Sequence, residues 1–169
     1  MNRQVDKERI IHRTENAKLV VRPALSEDAL DVLRWRNDPH VRAMSRQDVP
    51  ITEEVHRSWY SQALSDPDRL LVIGVLSDQK VGMVRFDRQE PLLWEVSIAV
   101  APEVCGQGVG RRLLVVSLEY LQSVHASVKI LAVAKSSNLG SLKLFLSLGF
   151  IRENDGGEFT RLILSFGSS

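Results

Sequence analysis

Residues 105–112 read Cys-Gly-Gln-Gly-Val-Gly-Arg-Arg, and they join a strand predicted over Trp94–Val100 to an amphipathic helix predicted over Val109–Val124. Three alternating glycines leave successive backbone N–H groups unobstructed by side chains. At the start of a helix, these donors lie at the positive end of the helix dipole and suit a pyrophosphate. The stretch therefore predicts a phosphate-binding loop between a buried strand and a helix.

Other glycine motifs fit this loop less well. A Walker A loop ends in Gly-Lys-Ser or Gly-Lys-Thr, whereas this loop ends in Gly110-Arg111-Arg112. A dinucleotide fingerprint needs Gly-x-Gly-x-x-Gly and a ribose-binding acid after the next strand, and neither is clear. A tight glycine turn that binds no ligand remains the alternative.

The segments around the loop predict one mixed α/β sheet flanked by helices. The predicted order of elements begins β-α-α, continues with a β-hairpin and ends β-loop-α-β-α-β-β. It follows from the spacing of apolar residues and from the positions of turn residues and prolines. The remaining predicted elements are a strand over Lys18–Arg22, a helix capped by Ser26 that ends near Asn37, a helix from Thr52, hairpin strands over Leu70–Leu76 and Val81–Phe86, a strand over Lys129–Ala134, a helix over Leu139–Leu148, and closing strands over Phe150–Arg152 and Thr160–Phe166.

Composition bounds the class of protein. The chain has 169 residues, of which 44% are hydrophobic, and a formal net charge of +1, so we expect one globular domain over residues 18–169 after a flexible leader over residues 1–17. Cys105 is the single cysteine and the four histidines are scattered, which argues against a disulfide or a metal site. No apolar run of membrane-spanning length occurs, and we expect a cytoplasmic protein that binds neither membrane nor nucleic acid.

Two motifs resemble those of the GNAT (Gcn5-related) N-acetyltransferases. The loop Cys105–Gly110 is similar to the family's Arg/Gln-x-x-Gly-x-Gly/Ala, with Cys105 at its first position. Residues 138–150, Asn-Leu-Gly-Ser-Leu-Lys-Leu-Phe-Leu-Ser-Leu-Gly-Phe, are similar to the family's Asn-x-x-Ser-x-x-Leu-Tyr-x-x-x-Gly-Phe. The resemblance covers roughly residues 18–166 and implies the GNAT acyl-CoA N-acyltransferase fold.

The resemblance also implies acetyl-CoA as cosubstrate, with no metal. In such folds the strand before the loop splays from its neighbour, and the pantetheine arm pairs with that strand like an added strand. The cofactor-binding residues implied are Ile98, Ala99 and Val100 for the arm and thioester, Cys105, Gly106, Gln107, Gly108, Val109, Gly110 and Arg111 for the pyrophosphate, and Asn138, Ser141 and Phe145 on the last helix.

The chemistry expected is direct attack of an amine on the thioester in a ternary complex. Glu95 is the candidate base, acting through water, and Ser97 shares its face of the strand. Glu95 as a surface carboxylate is an equal alternative. Phe145 replaces the tyrosine that serves as the family's usual general acid, and a phenyl ring donates no proton. Cys105 has no histidine near it in sequence, which argues against a nucleophile.

The acceptor end is predicted on the first two helices and the hairpin strand. His56, Trp59 and Tyr60 share one helical face, with His56 as polar contact or base. Together with Trp35-Arg36-Asn37-Asp38-Pro39 and Val84-Arg85-Phe86-Asp87, the His56-x-x-Trp59 pair resembles acetyltransferases that act on nucleotide-linked amino sugars, of the pseudaminic-acid type. Core packing of the aromatic residues is the competing interpretation. The predicted acceptor contacts are Arg34, Trp35, Asn37, His56, Trp59 and Arg85.

Two other functions stay open after the sequence. Ribosomal-protein-type N-terminal acetyltransferases share much of this architecture and would act on a peptide. A non-catalytic acyl-CoA-binding module is motivated by Phe145. Nucleic-acid binding has no recognisable module and gains nothing from a net charge of +1. The partner expected is a small-molecule amine, and a homodimer is an open alternative.

Overall fold

In the described part of the chain, seven strands form one sheet in the order β1-β2-β3-β4-β5-β7-β6. The predicted mixed α/β sheet is confirmed. The computed structural model describes residues 17–46, 48–154 and 156–166, so the predicted leader lies almost wholly outside the described residues. Neighbouring strands are antiparallel except β4 and β5, which are parallel and joined by a helical crossover. The strands are β1 (Leu19–Pro23), β2 (Arg69–Leu76), β3 (Gln79–Glu90), β4 (Leu93–Val100), β5 (Lys129–Lys135), β6 (Ile151–Arg152) and β7 (Phe159–Ser165).

The described residues form five helices. The helices are α1 (Ala29–Asn37), α2 (Pro39–Met44), α3 (Glu53–Ser65), α4 (Val109–Val124) and α5 (Leu139–Ser147). Four of them, α1, α3, α4 and α5, pack on the sheet, and each face of the sheet has its own apolar core. Leu113 and Phe145 lie in the core beneath α4 and α5, whereas Trp35 and Tyr60 lie in the core beneath α1 and α3. Side chains of one strand alternate between these cores, as a pleated strand requires.

Close approach of α4 to the sheet depends on Gly82. A Cβ atom placed there would lie 2.6 Å from the backbone oxygen of Ala99 and 2.8 Å from the side chain of Leu113. Leu113 is fully buried, so its side chain has no room to move aside. Because Gly82 has no side chain, α4 can pack directly on β3 and β4.

A buried carboxylate holds the start of α1 against the sheet. Asp28 is fully buried and accepts hydrogen bonds from Arg22 at 2.7 and 2.9 Å, from Lys80 at 3.1 Å and from the backbone N–H of Leu25 at 2.9 Å. These contacts lower the pKa of Asp28 to about 2 against the opposing effect of burial. Ser26 is the predicted helix cap, but in the structure it begins a 3-10 turn, Ser26–Asp28. The backbone N–H of Leu25 before this turn donates to the Asp28 carboxylate.

The short helix α2 was not predicted from the sequence. Asp38 caps it, accepting from the backbone N–H groups of His40 at 3.0 Å and Val41 at 3.2 Å, and Pro39 occupies its first position. An acid followed by proline is a helix-start signal. The prediction that α1 ends near Asn37 is confirmed, and α2 begins at once after it.

The β2–β3 hairpin offers a test of backbone strain. Ser77 and Asp78 have φ of 49° and 61° and form a two-residue turn between Leu76 and Gln79. We expect Asp78→Gly to raise the free energy of unfolding by about 0.5–1 kcal/mol, because glycine adopts positive φ without a Cβ clash. Urea unfolding measures the change. Asp78→Ala keeps the Cβ atom as a control, and an equal gain in that variant would contradict the explanation.

Candidate active site

Strands β4 and β5 separate part-way along their length. Their parallel ladder runs from Leu93 opposite Lys129 to Val96 opposite Ala132. Beyond this rung β5 stays paired with β7 and β4 stays paired with β3. Residues 97–100 therefore have no strand partner on their β5 side among the described residues, and this is the splayed arrangement predicted from the sequence.

A cavity of about 660 Å³ opens at this separation. Ser97, Ile98 and Ala99 line it from β4, and residues 133–135 line it from β5. The remaining walls come from the loop and helices on the α1–α3 face and from the start of α5. Those other lining residues are Arg36, Val41, Arg42, Met44, Ser45, Arg46, Val49, Ile51, Val55, His56, Trp59, Met83, Arg85, Val96, Asn138, Ser141 and Phe145.

The glycine loop lies between β4 and α4, as predicted. Gly106 and Gly108 have φ of 76° and 73°, and Gly108 is the N-cap of α4, without a side-chain cap. Both conformations favour glycine, and a Cβ atom at either residue would meet nothing within 4 Å. The first N–H groups of α4 have no intrahelical partner. The loop therefore presents an open, donor-rich surface suited to phosphate oxygens.

The predicted cofactor residues divide into two groups in space. Ile98, Ala99, Asn138, Ser141 and Phe145 line the cavity. The other predicted cofactor residues, Val100 and residues 105–111, are not among its lining residues and belong to the strand end and the loop beyond it. An elongated ligand in contact with both groups would extend from the strand gap to the start of α4.

Asn138 and Phe145 shape the α5 side of the cavity. The Asn138 side chain caps α5, accepting from the Ser141 backbone N–H at 3.1 Å while its amide donates to Ser141 Oγ at 2.9 Å. Phe145 is buried and packs edge-on against Phe150 at 5.1 Å between ring centres. The wall at Phe145 is therefore apolar and supplies no proton donor.

Glu95 and Ser97 lie on the same face of β4, as strand periodicity predicts. Glu95 is opposite Asp87 and Ser97 is opposite Arg85 in the β3–β4 register. The Glu95 carboxylate forms an ion pair with Arg46, and its side chain is 13% exposed. Ser97 and Arg46 line the cavity, whereas Glu95, two residues before Ser97 on β4, is not among the lining residues.

His56 lies at the acceptor side with one ring nitrogen engaged. Its Nε2 donates to the Ala29 carbonyl oxygen at 2.7 Å, and Nδ1 is buried without a hydrogen-bond partner among the described residues. Burial lowers the pKa of His56, and the charges of Arg36 and Arg57 lower it further. The neutral ring therefore carries a lone pair at Nδ1, an atom that is buried inside the protein.

Three predicted acceptor contacts have other roles. Trp35 is fully buried in the core under α1, so it does not reach a ligand. Arg34 is exposed, pairs with Glu103 and is not a lining residue. The Asn37 side-chain amide donates to the Ile51 carbonyl oxygen at 2.7 Å, and its Oδ1 accepts from the Ile51 backbone N–H at 2.8 Å. Asn37 thereby positions Ile51, which lines the cavity, and is not a lining residue itself.

Cys105 is exposed at the loop and also lies outside the cavity lining. Its Sγ lies 3.5 Å from the Ala101 backbone oxygen. Burial, followed by the charges of Asp38 and Glu103, raises the pKa of the thiol. This agrees with the interpretation of Cys105 as a small loop residue rather than a nucleophile.

Sequence reasoning missed most of the cavity's positive charge. The basic residues that line it are Arg36, Arg42, Arg46, Arg85 and Lys135, and of these only Arg85 was predicted. Helical phase identifies Arg36, because it lies on the buried face of α1 between Ala29 and Val32 while Arg34 lies opposite. The described lining contains no aspartate or glutamate.

The fold thus places a gap between two strands of the sheet beside a glycine loop at a helix start. The acetyltransferase (GNAT) domain family matches residues 18–151, and the chain belongs to that family. Over the described residues, no group of three or more potential ligands is placed to hold a metal ion, and no helix has the length and apolarity to cross a bilayer.

Known proteins are similar to this chain at modest identity. The uncharacterized protein MJ1062 of Methanocaldococcus jannaschii is 26% identical over 150 residues, which covers 85% of this chain. The chain spans 30% of the length of that relative. A domain from the same organism has a TM-score of 0.77 at 25% identity, covering 89% of this chain and 100% of that domain. Spermidine N-acetyltransferase from Vibrio cholerae, solved with CoA and spermine, has a TM-score of 0.78 at 17% identity, covering 87% and 95%.

Proposed function

We propose that the protein transfers an acetyl group from acetyl-CoA to the primary amine of a nucleotide-linked amino sugar. The observation that carries the acceptor class is the cavity lining, which has five basic side chains and no acidic one among the described residues. Such a lining attracts an anionic acceptor and repels a polyamine. A volume of about 660 Å³ is in the range of small-molecule sites.

The strand gap and the loop support the cosubstrate half of the proposal. Bound acetyl-CoA supplies the electrophilic thioester carbonyl, and the unpaired edge of β4 at residues 97–100 holds its arm. The open donors of Gly108 and the first turn of α4 hold its pyrophosphate. This placement brings the thioester beside Ser97 and Ile98, at the inner end of the cavity.

The chain's residues then have separable roles in the transfer. Glu95, acting through a water molecule, takes a proton from the ammonium group of the acceptor before attack. The neutral amine nitrogen then forms the new C–N bond as the C–S bond breaks, and it gives up its second proton to solvent. Backbone N–H groups along the unpaired edge of β4 stabilise the negative charge that develops on the carbonyl oxygen. The departing thiolate takes its proton from solvent, because Phe145 has none to give.

A panel of amines tests this function. We expect thiol release from acetyl-CoA with UDP-linked amino sugars, and a product mass larger by one acetyl group. Spermidine, aminoglycosides and peptides with free N-termini serve as competing acceptors, and we expect at least tenfold lower kcat/KM for the polycations because the cavity is cationic. Preference for a peptide N-terminus would instead identify a protein N-terminal acetyltransferase.

A variant of the loop controls for cosubstrate binding. Gly108→Ala places a Cβ atom where φ is 73°, and it should weaken acetyl-CoA binding by calorimetry without changing the order of acceptors. Tight acetyl-CoA binding with no turnover of any amine would contradict the proposed acetyltransferase activity. It would indicate a non-catalytic acyl-CoA-binding module instead.

A further inference from the structure

Three arginines surround the indole ring of Trp59 at the acceptor side of the cavity. The guanidinium carbon atoms lie 4.6 Å from the ring centre for Arg36, 5.2 Å for Arg85 and 5.9 Å for Arg69. Cations over an indole face are attracted by the ring quadrupole. The Trp59 ring therefore contacts three guanidinium groups, one each from α1, β2 and β3, and these contacts help to position the arginine side chains.

Two carboxylates pair with two of these three arginines. Arg85 Nε lies 2.7 Å from Asp87 Oδ2, and Arg69 Nε lies 3.4 Å from Asp66 Oδ2 and 3.6 Å from Asp87 Oδ1. Arg36 has no carboxylate within ion-pair distance among the residues that the structure describes. Arg36 is thus the unmatched charge of the cluster.

Arg36 is also held in an unfavourable environment. Burial and, after it, the charge of Arg85 lower the pKa of its guanidinium to about 10, against a weaker opposite effect of Asp87. A partly desolvated charge without a partner destabilises a fold. Groups with strongly shifted pKa values cluster at functional sites, and a ligand of opposite charge would supply the missing partner here.

The cluster faces the acceptor cavity. Arg36, Trp59 and Arg85 all line the cavity, and Arg85 Nη2 lies 3.5 Å from Ser97 Oγ on the first residue beyond the β4–β5 ladder. An anion bound by both guanidinium groups would be next to the strand gap. The glycine loop is a separate feature at the start of α4 and is not part of the cavity lining.

We propose that Arg36 and Arg85, held in place by Trp59, bind an anionic group of the acceptor, so that the enzyme selects amines that carry a phosphate or carboxylate. The inference deepens the proposed function and rests on it for the acetyl transfer itself. A guanidinium group pairs with either anion through two parallel hydrogen bonds. Because two guanidinium groups converge, a diphosphate fits this charge better than a single carboxylate.

Calorimetry on the full chain saturated with CoA tests the subsite directly. Saturation fills the glycine loop, so that added anions report on the acceptor side. We expect UDP and inorganic pyrophosphate to bind, and glutarate to bind at least tenfold more weakly. Arg36→Gln should weaken diphosphate binding by about tenfold to a hundredfold, the range for hydrogen bonds to charged groups. Arg34→Gln, on the exposed face of the same helix, is the matched control.

Two further readouts separate anion binding from a structural role. Because Arg36 is an unmatched charge, Arg36→Gln should leave the melting temperature unchanged or higher, whereas loss of a structural contact would lower it. With an anionic amine, KM for the acceptor should rise tenfold or more while KM for acetyl-CoA changes less than threefold. Arg36→Lys should recover part of the affinity, since it keeps the charge and loses the paired geometry.

The outcomes distinguish this inference from the proposed function. Equal diphosphate affinity in Arg36→Gln and Arg34→Gln would overturn the subsite, whatever the enzyme acetylates. Diphosphate binding that depends on Arg36, combined with no acetylation of any amine, would support the subsite and overturn the proposed function instead. Tighter binding of glutarate than of pyrophosphate would overturn the preference for a diphosphate.

Discussion

Glu95→Gln is expected to lower kcat by about a hundredfold to ten-thousandfold, the usual contribution of a general base. The glutamine keeps the size of the side chain but accepts no proton, and it loses the ion pair with Arg46. Because Glu95 pairs with Leu131 within the β4–β5 ladder and not in the unpaired segment 97–100, the KM for acetyl-CoA should change less than threefold. Steady-state kinetics with the best acceptor measure both quantities.

Glu103→Gln is the matched control, since Glu103 is an exposed acid that also pairs with an arginine, Arg34. We expect full activity in that variant. Glu95→Asp keeps a carboxylate with a shorter reach and should recover part of the lost kcat. A Glu95→Gln enzyme that retained normal kcat would remove Glu95 from the mechanism and favour the interpretation as a surface carboxylate.

Asp28→Asn is expected to lower the free energy of unfolding by about 3–5 kcal/mol, as for other buried ion pairs that lose one partner. The variant leaves Arg22 and Lys80 without their shared carboxylate, and Asp28 is fully buried. Asp31→Asn is the control, because the half-exposed Asp31 pairs with Lys80 alone. There we expect less than about 1 kcal/mol. Urea unfolding at neutral pH gives both values.

The same carboxylate makes stability depend on pH. Its pKa is lowered from 3.8 to about 2, so the ionised form is stabilised by folding. The contribution, about 2 kcal/mol, is fully present above the unfolded pKa and is lost as pH falls through the folded one. The difference between wild type and Asp28→Asn should therefore shrink between pH 4 and pH 2. A constant difference across that range would contradict this origin.

Long periodic segments made most of the fold predictable. The helix predicted over Val109–Val124 has those bounds in the structure, because its apolar stripe extends over more than four turns. The helix Pro39–Met44 was missed, since six residues are too few to show a period and its cap signal stands alone. Short elements depend on single capping contacts, which are easily overlooked.

The site was less predictable because it depends on contacts between distant elements. The sequence identified the glycine loop; Ser97 and His56 line the cavity, and Glu95 pairs with the lining residue Arg46. Trp35 was predicted to contact the acceptor and is buried in the core instead; its helical phase already places it on the face of α1 that packs into the core. The cluster around Trp59 joins α1, β2, β3 and α3, and no local pattern encodes such a meeting.

The separation of β4 from β5 also links occupancy of the site to thermodynamic stability. Among the residues that the structure describes, four rungs, Leu93 to Val96, join the antiparallel strands β1–β4 to the rest of the sheet. A cosubstrate that pairs with residues 97–100 adds hydrogen bonds to the native state and none to the unfolded chain. By mass action, acetyl-CoA at about a hundred times its dissociation constant adds about 3 kcal/mol to the unfolding free energy. The cell's acetyl-CoA pool would then act on the lifetime of the folded protein as well as on its turnover.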